Sequence, residues 1–122
     1  MNMATSTLKR TYTQELTINR IENAFISQTN LDRCKAYIKG GMLYFSGNMQ
    51  LTAGTTSDFT QIASISGWSA LSDTYITVPC QTDVTSALLL QIMSNGTMRI
   101  YSAQGVRSGY YRLFICVPSK SG

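Results

Sequence analysis

Between Gly40 and Leu51 the chain reads Gly40-Gly-Met-Leu-Tyr-Phe-Ser-Gly-Asn-Met-Gln-Leu51. From residue 43 the odd positions are apolar except for a glycine, whereas most even positions are polar. Successive side chains of a β-strand point to opposite faces, so this period of two predicts a half-buried strand over Met42–Leu51. The turn dipeptide Gly40-Gly41 predicts that this strand forms a hairpin with Arg33–Ile38.

The same signals continue to the end of the chain. Alternation and β-branched or aromatic runs predict further strands at Phe59–Ile65, Thr74–Val78, Val84–Met93, Thr97–Tyr101 and Tyr110–Val117. Pro79 ends its strand or places it on a sheet edge. Asn95-Gly96 is typical of a type I′ hairpin turn. Six or seven strands with turns between them predict an all-β fold, an antiparallel sandwich or barrel.

The region before residue 33 allows two interpretations. Glu15–Ile26 could form an amphipathic helix, whereas the threonines favour an extended strand over Gln14–Ile21, which we prefer. Met1–Lys9 has the composition of a polar arm. We therefore divide the chain into residues 1–32, an N-terminal arm, linker or first strand, and residues 33–122, a β-sandwich domain.

The composition argues against catalysis. The chain has no histidine, which excludes Ser-His-Asp and Cys-His machinery and histidine-ligated zinc. Its six acidic residues are scattered, so no calcium loop can be read. We expect no enzyme, no cofactor and no metal site.

The net charge of +4 is a weak indicator of partners. Residues 1–40 hold six basic and three acidic residues, a net charge of +3, but only Lys35-Ala-Tyr-Ile-Lys39 interleaves charge with an aromatic ring. A nucleic-acid-binding surface normally carries a denser basic stripe. Two solvated lysines on one strand face are the preferred interpretation, and a nucleic-acid-binding barrel is a distant alternative.

The cysteines indicate a compartment. Cys34, Cys80 and Cys116 have no metal-binding spacing, and an odd number leaves at least one unpaired. Residues 1–13 contain no apolar stretch like that of a signal peptide, and no run reaches 18 apolar residues. We expect synthesis in a reducing cytoplasm, with free thiols and no membrane insertion.

The order of motifs resembles a known family. The hairpin Cys34-Lys-Ala-Tyr-Ile-Lys-Gly-Gly-Met-Leu-Tyr-Phe-Ser-Gly-Asn-Met49 is similar to the start of C-terminal head domains on tail fibres and receptor-binding proteins of tailed bacteriophages. A glycine–aromatic pair (Gly67-Trp68), a hairpin (Ile92–Tyr101) and an aromatic last strand (Tyr110–Val117) follow in the family's order. The resemblance covers residues 33–118, although the proline that usually follows the glycine–aromatic pair is absent.

The resemblance implies a β-sandwich or jelly-roll head that assembles as a homotrimer. It also implies a virion component, made in the bacterial cytoplasm, that recognises a saccharide or protein on the host surface. A structural decoration protein that contacts only other virion proteins is the alternative function.

Five residues are candidate ligand contacts, each with an ordinary structural alternative. Trp68 is either a sugar-stacking platform or a core plug between sheets, and the plug is favoured. Arg99 and Tyr101 share a polar strand face and are followed by Arg107 and Tyr110, residue types enriched at recognition sites. A cross-strand pair and a solvated loop charge are the favoured alternatives for these four.

The last strand carries apolar bulk on both faces. Phe114 shares one face with Arg112 and Cys116, whereas Ile115 and Val117 occupy the other. Strands that are apolar on both sides belong inside packed assemblies. We therefore expect Tyr110–Val117 to contribute to an oligomer interface.

Overall fold

Two antiparallel β-sheets pack against each other in a computed structural model that describes residues 13–21, 25–56 and 58–120. The all-β sandwich predicted from the alternation is confirmed. The elements within these residues are β1 (Gln14–Leu16), β2 (Ile18–Arg20), α1 (Gln28–Leu31), β3 (Lys35–Lys39), β4 (Met42–Leu51), β5 (Thr60–Ile65), β6 (Thr74–Cys80), β7 (Asp83–Ile92), β8 (Thr97–Tyr101) and β9 (Gly109–Pro118).

The strand order brings sequence-distant segments together. The first sheet has the order β1-β3-β4-β9, and the second has the order β2-β5-β8-β7-β6. In the second sheet, hairpins connect β6, β7 and β8 in sequence, and β5 pairs with the free side of β8. This arrangement is a Greek key, the unit from which jelly rolls are built.

The two predicted hairpins form, but with different turns. Gly40 and Gly41 both have positive φ, 61° and 77°, as the two central positions of a type I′ turn require. At the second hairpin the type I′ prediction is wrong, because Asn95 does not have a positive φ. The Gly96 N–H bonds to the Met93 carbonyl at 2.9 Å, and Gly96 alone takes the positive φ of 90°. The loop is therefore one residue longer than the two-residue loop of a type I′ hairpin, and Gly96 is its last residue.

The N-terminal segment is extended, as preferred from its threonines. β1 pairs with β3 in the first sheet, and β2 pairs with β5 in the second, so the chain changes sheets at Thr17. The alternative helix does not form over the described residues 15–21. A single helical turn, α1, follows instead, and Ser27 Oγ caps it by accepting the Asn30 N–H at 3.1 Å. The predicted polar arm, Met1–Lys9, lies outside the described residues.

The core lies between the sheets and follows the alternation. In β4 and β9 the inner side chains Phe45, Met49, Tyr111 and Val117 are buried. Of the two alternatives for Pro79, the sheet edge holds: β6 continues through Pro79, which points outward on this edge strand, and the next side chain, Cys80, is buried in the core.

Trp68 closes one end of the sandwich. The loop after β5 buries its ring, and the indole N–H donates to Ser119 Oγ at 2.7 Å. A backbone bond from Lys120 N to the Ser69 carbonyl, 2.9 Å, holds the same loop against the end of β9. Trp68 thus links the second sheet to the last strand of the first, as the favoured core interpretation predicts.

Replacing Ser119 with alanine tests the link. The Ser119→Ala variant leaves the indole N–H of Trp68 buried without its acceptor, which typically costs about 1–3 kcal/mol. We expect the free energy of unfolding in urea, followed by the fluorescence of this single tryptophan, to fall by that amount. Ser72→Ala, at an exposed loop position, is the control and should change stability by less than about 0.5 kcal/mol. Equal stability of both variants would contradict the assignment.

Burial also sets the reactivity of the thiols. All three cysteines are free; Cys34 and Cys80 are buried and Cys116 is exposed. Burial raises the pKa of Cys34 from 9.0 to about 11, so at pH 8 its thiolate fraction falls about a hundredfold. In a Cys116→Ser variant at pH 8, we expect N-ethylmaleimide to leave the folded protein unmodified. Mass spectrometry should then find two adducts after unfolding in guanidinium. Rapid modification of the folded variant would show that the sandwich does not protect its thiols.

Candidate functional site

The outer face of the second sheet carries a cluster of aromatic, amide and guanidinium side chains. We call it the Arg99 patch and define it as Phe59, Tyr75, Gln91, Arg99 and Tyr101. The strand register aligns Tyr75 with Gln91 and Gln91 with Arg99 across three neighbouring strands. Phe59 directly precedes β5, and its ring centroid lies 5.5 Å from that of Tyr101. Strands β6, β7 and β8 and the residue before β5 therefore contribute to the patch.

Hydrogen bonds hold the centre of the patch in one arrangement. The Arg99 Nε–H donates to Gln91 Oε1 at 2.6 Å, and Arg99 Nη2 bonds to the same oxygen. The Gln91 amide donates in turn to the Tyr75 hydroxyl at 2.7 Å. Gln91 is only 1% exposed although it points away from the sandwich core. A buried amide with both ends satisfied orients the arginine on one side and the tyrosine on the other.

Aromatic rings surround the guanidinium. Arg99 Cζ lies 5.0 Å from the centroid of the Phe59 ring, within the range of a cation–π contact. Tyr75 lies on β6 and Phe59 directly precedes β5, which two other strands separate from β6 in the sheet order, yet their ring centroids are 6.1 Å apart. Their side chains therefore lean toward each other across the sheet, which explains how an outward-facing Gln91 becomes buried.

The patch keeps accessible surface. Tyr75 is 56% exposed, and Arg99 and Tyr101 are half-buried. A shallow open depression adjoins Tyr101 and is lined by Thr77, Leu89, Ser102, Gln104 and their neighbours. Exposed rings beside oriented hydrogen-bond donors form the kind of surface that recognises a ligand with both apolar and polar groups.

A second aromatic surface lies on the outer face of the first sheet. We call it the Phe114 stripe and define it as Tyr37, Tyr44 and Phe114. The Tyr37 and Tyr44 rings stack with centroids 5.3 Å apart, and the Tyr44 and Phe114 centroids are 6.1 Å apart. Phe114 is 63% exposed, and Cys116 beside Tyr44 raises the pKa of that tyrosine. An exposed phenylalanine within an aromatic row is unusual for a surface that faces only water.

A larger groove opens at the edge of the first sheet, between β1 and α1. Three charged residues line it: Glu15 and Lys35 form an ion pair with a 3.5 Å N–O distance, and Asp32 Oδ1 accepts the Gln28 side-chain amide at 2.8 Å. Because this pair neutralises its own charge and is well exposed, the groove presents no oriented group comparable to Arg99.

The structure brings together two of the five candidate residues. Arg99 and Tyr101 share the Arg99 patch, as the alternation of β8 predicts. Trp68 is buried and cannot serve as a stacking platform. Arg107 lies in the exposed loop before β9, and Tyr110 lies on the outer face of the first sheet, so neither belongs to the patch.

Three residues of the patch were missed from the sequence. Gln91 sits opposite Arg99 in a hairpin, so the hairpin register could have indicated it. Tyr75 and Phe59 come from strands that are not joined to β8 by a hairpin, and no local pattern places them there.

Within the described ranges, no three His, Cys, Asp or Glu side chains are close enough to hold a metal ion. No helix in the described part of the chain is long and apolar enough to cross a membrane. The chain matches no model of a protein family, no curated protein and no solved structure in the comparisons made. What the protein does is therefore inferred from the chemistry of its surfaces.

Proposed function

We propose that this chain is a non-enzymatic recognition domain that binds a cell-surface saccharide through the Arg99 patch. The observation that carries the proposal is the Tyr75–Gln91–Arg99 hydrogen-bond chain, which lies beside the exposed Tyr75 ring and the half-buried rings of Phe59 and Tyr101. Sugars present C–H groups that pack on aromatic faces and hydroxyls that pair with oriented donors and acceptors. A patch that is already ordered also loses little side-chain entropy on binding.

The biological setting is taken from the resemblance of residues 33–118 to bacteriophage receptor-binding heads. In that setting the saccharide belongs to the bacterial surface, and the domain is a homotrimeric part of a virion. The all-β sandwich is compatible with such a head. The receptor could also be a protein instead of a saccharide, and the array experiment below distinguishes the two.

The two outer faces would then have separate tasks. The Phe114 stripe supports self-association, because pairing it with another subunit would cover an exposed phenylalanine and two stacked tyrosines. The Arg99 patch lies on the opposite side of the sandwich and would stay accessible in such an assembly.

The Phe114 stripe also favours a second candidate function. If the stripe and the patch both contacted other virion proteins, the chain would be a structural decoration subunit. The two functions differ in whether the Arg99 patch remains free once the assembly has formed.

Screening the purified protein on an array of bacterial surface saccharides tests the recognition proposal. We expect binding that weakens at least about tenfold in Tyr101→Ala, because a half-buried ring of the patch is lost. Tyr110→Ala, which removes a half-buried tyrosine from the opposite outer face, is the matched control and should bind as the parent does. Absence of saccharide binding, or equal loss in both variants, would count against recognition at this patch; protein capture without saccharide binding would favour a protein receptor.

Light scattering tests the assembly. We expect a mass of about 40 kDa, three times the 13.5 kDa chain, and a shift toward 13.5 kDa for Phe114→Asp, which places a charge in the stripe. Leu71→Asp, at an equally exposed apolar residue in a loop, is the control and should keep the parent mass. A monomeric parent chain, or a folded Phe114→Asp trimer, would refute the role of the stripe.

A further inference from the structure

The Arg99 guanidinium has no carboxylate partner within 4 Å among the described side chains. Among the described side chains the ion pair within 4 Å is Lys35–Glu15, on the other sheet. The two carboxylates nearest to the patch along the chain accept hydrogen bonds from backbone N–H groups. Asp58 Oδ1 accepts the Phe59 N–H and Asp73 Oδ1 accepts the Ser94 N–H, both at 2.7 Å.

The hydrogen bonds of Arg99 leave one edge of the guanidinium free. A guanidinium has five N–H groups, of which the Nε–H and one on Nη2 point at Gln91 Oε1. The remaining three, on Nη1 and Nη2, have no partner among the described residues. Parallel N–H groups on these two nitrogens match the two oxygens of a carboxylate.

From this geometry we infer that the ligand is an acidic saccharide whose ring carboxylate pairs with Arg99. The inference rests on the proposed function and names the class of sugar at the same site. The exposed Tyr75 ring and the half-buried Tyr101 ring lie on the same face as the cation and would pack against the C–H groups of the sugar. The depression beside Tyr101 gives room for the next unit of the chain.

Charge favours a carboxylate over a phosphate monoester. The patch holds a single cation, which balances the single negative charge of a uronate. A phosphate monoester carries a charge between about −1.5 and −2 at neutral pH, so one arginine would leave part of it unpaired. The cation also lies against Phe59 and over a buried amide, where an ion pair is screened less than in open water.

The test begins with an array that holds uronate-containing, phosphate-containing and neutral bacterial oligosaccharides. We expect the tightest ligands to carry a uronate, and we expect reduction of that carboxyl to the alcohol to weaken binding at least about tenfold. This comparison uses the unaltered protein and so does not depend on the folding of any variant.

A cycle of ligand and protein changes then assigns the effect to Arg99. Arg99→Gln should bind the uronate and its reduced form with equal affinity, close to the affinity of the parent protein for the reduced form. The reason is that the variant lacks the arginine that pairs with the carboxylate. Arg99→Lys keeps the charge but loses the edge formed by two nitrogens, so its affinity for the uronate should lie between those of the parent protein and Arg99→Gln. Arg112→Gln removes an exposed arginine from the opposite outer face and should preserve the tenfold difference.

The outcomes separate this inference from the proposed function. Binding of neutral saccharides that Tyr101→Ala abolishes would support recognition at the patch but overturn the acidic ligand. Preference for phosphate-containing saccharides would also overturn it. An array with no bound saccharide would reject the proposed function and this inference together.

Discussion

The ten-residue ladder between β4 and β9 is the pairing on which the sandwich depends. It runs from Met42 opposite Pro118 to Leu51 opposite Gly109 and joins segments separated by about half the chain. Every second ladder step aligns inner side chains, such as Phe45 with Ile115, so one register buries two apolar stripes together. A shift of either strand by one residue would turn the apolar stripe of that strand outward. The second sheet packs against the surface that this register creates.

Closing the sandwich requires its ends to be sealed as well as its faces. At one end the Trp68 indole fills the space between the sheets and donates its polar N–H to Ser119. At the other end the Gln81 N–H bonds to the Tyr110 carbonyl at 2.7 Å and ties β6 to β9. Buried polar groups are tolerated at both ends because each has a partner. The outer faces are then the surfaces left for interaction.

The two outer faces differ in the physics of their aromatic residues. On the first sheet, stacked rings lead to a largely exposed phenylalanine, which offers apolar area and no oriented charge. On the second sheet the rings enclose an arginine that a buried glutamine holds in place. Apolar area suits a permanent contact between subunits, whereas an oriented cation beside exposed rings suits a selective ligand.

Alternation and turn dipeptides by themselves determined the strands, the all-β class and the shared face of Arg99 and Tyr101, because side-chain direction along a strand is a local property. The same local reasoning left open whether Trp68 was buried and whether the strand before Pro79 ended there or continued along a sheet edge. Only the tertiary structure decided that Tyr75 and Phe59 complete the patch. Their meeting depends on the Greek-key order of strands far apart in the chain, and non-local pairing leaves no pattern within either strand.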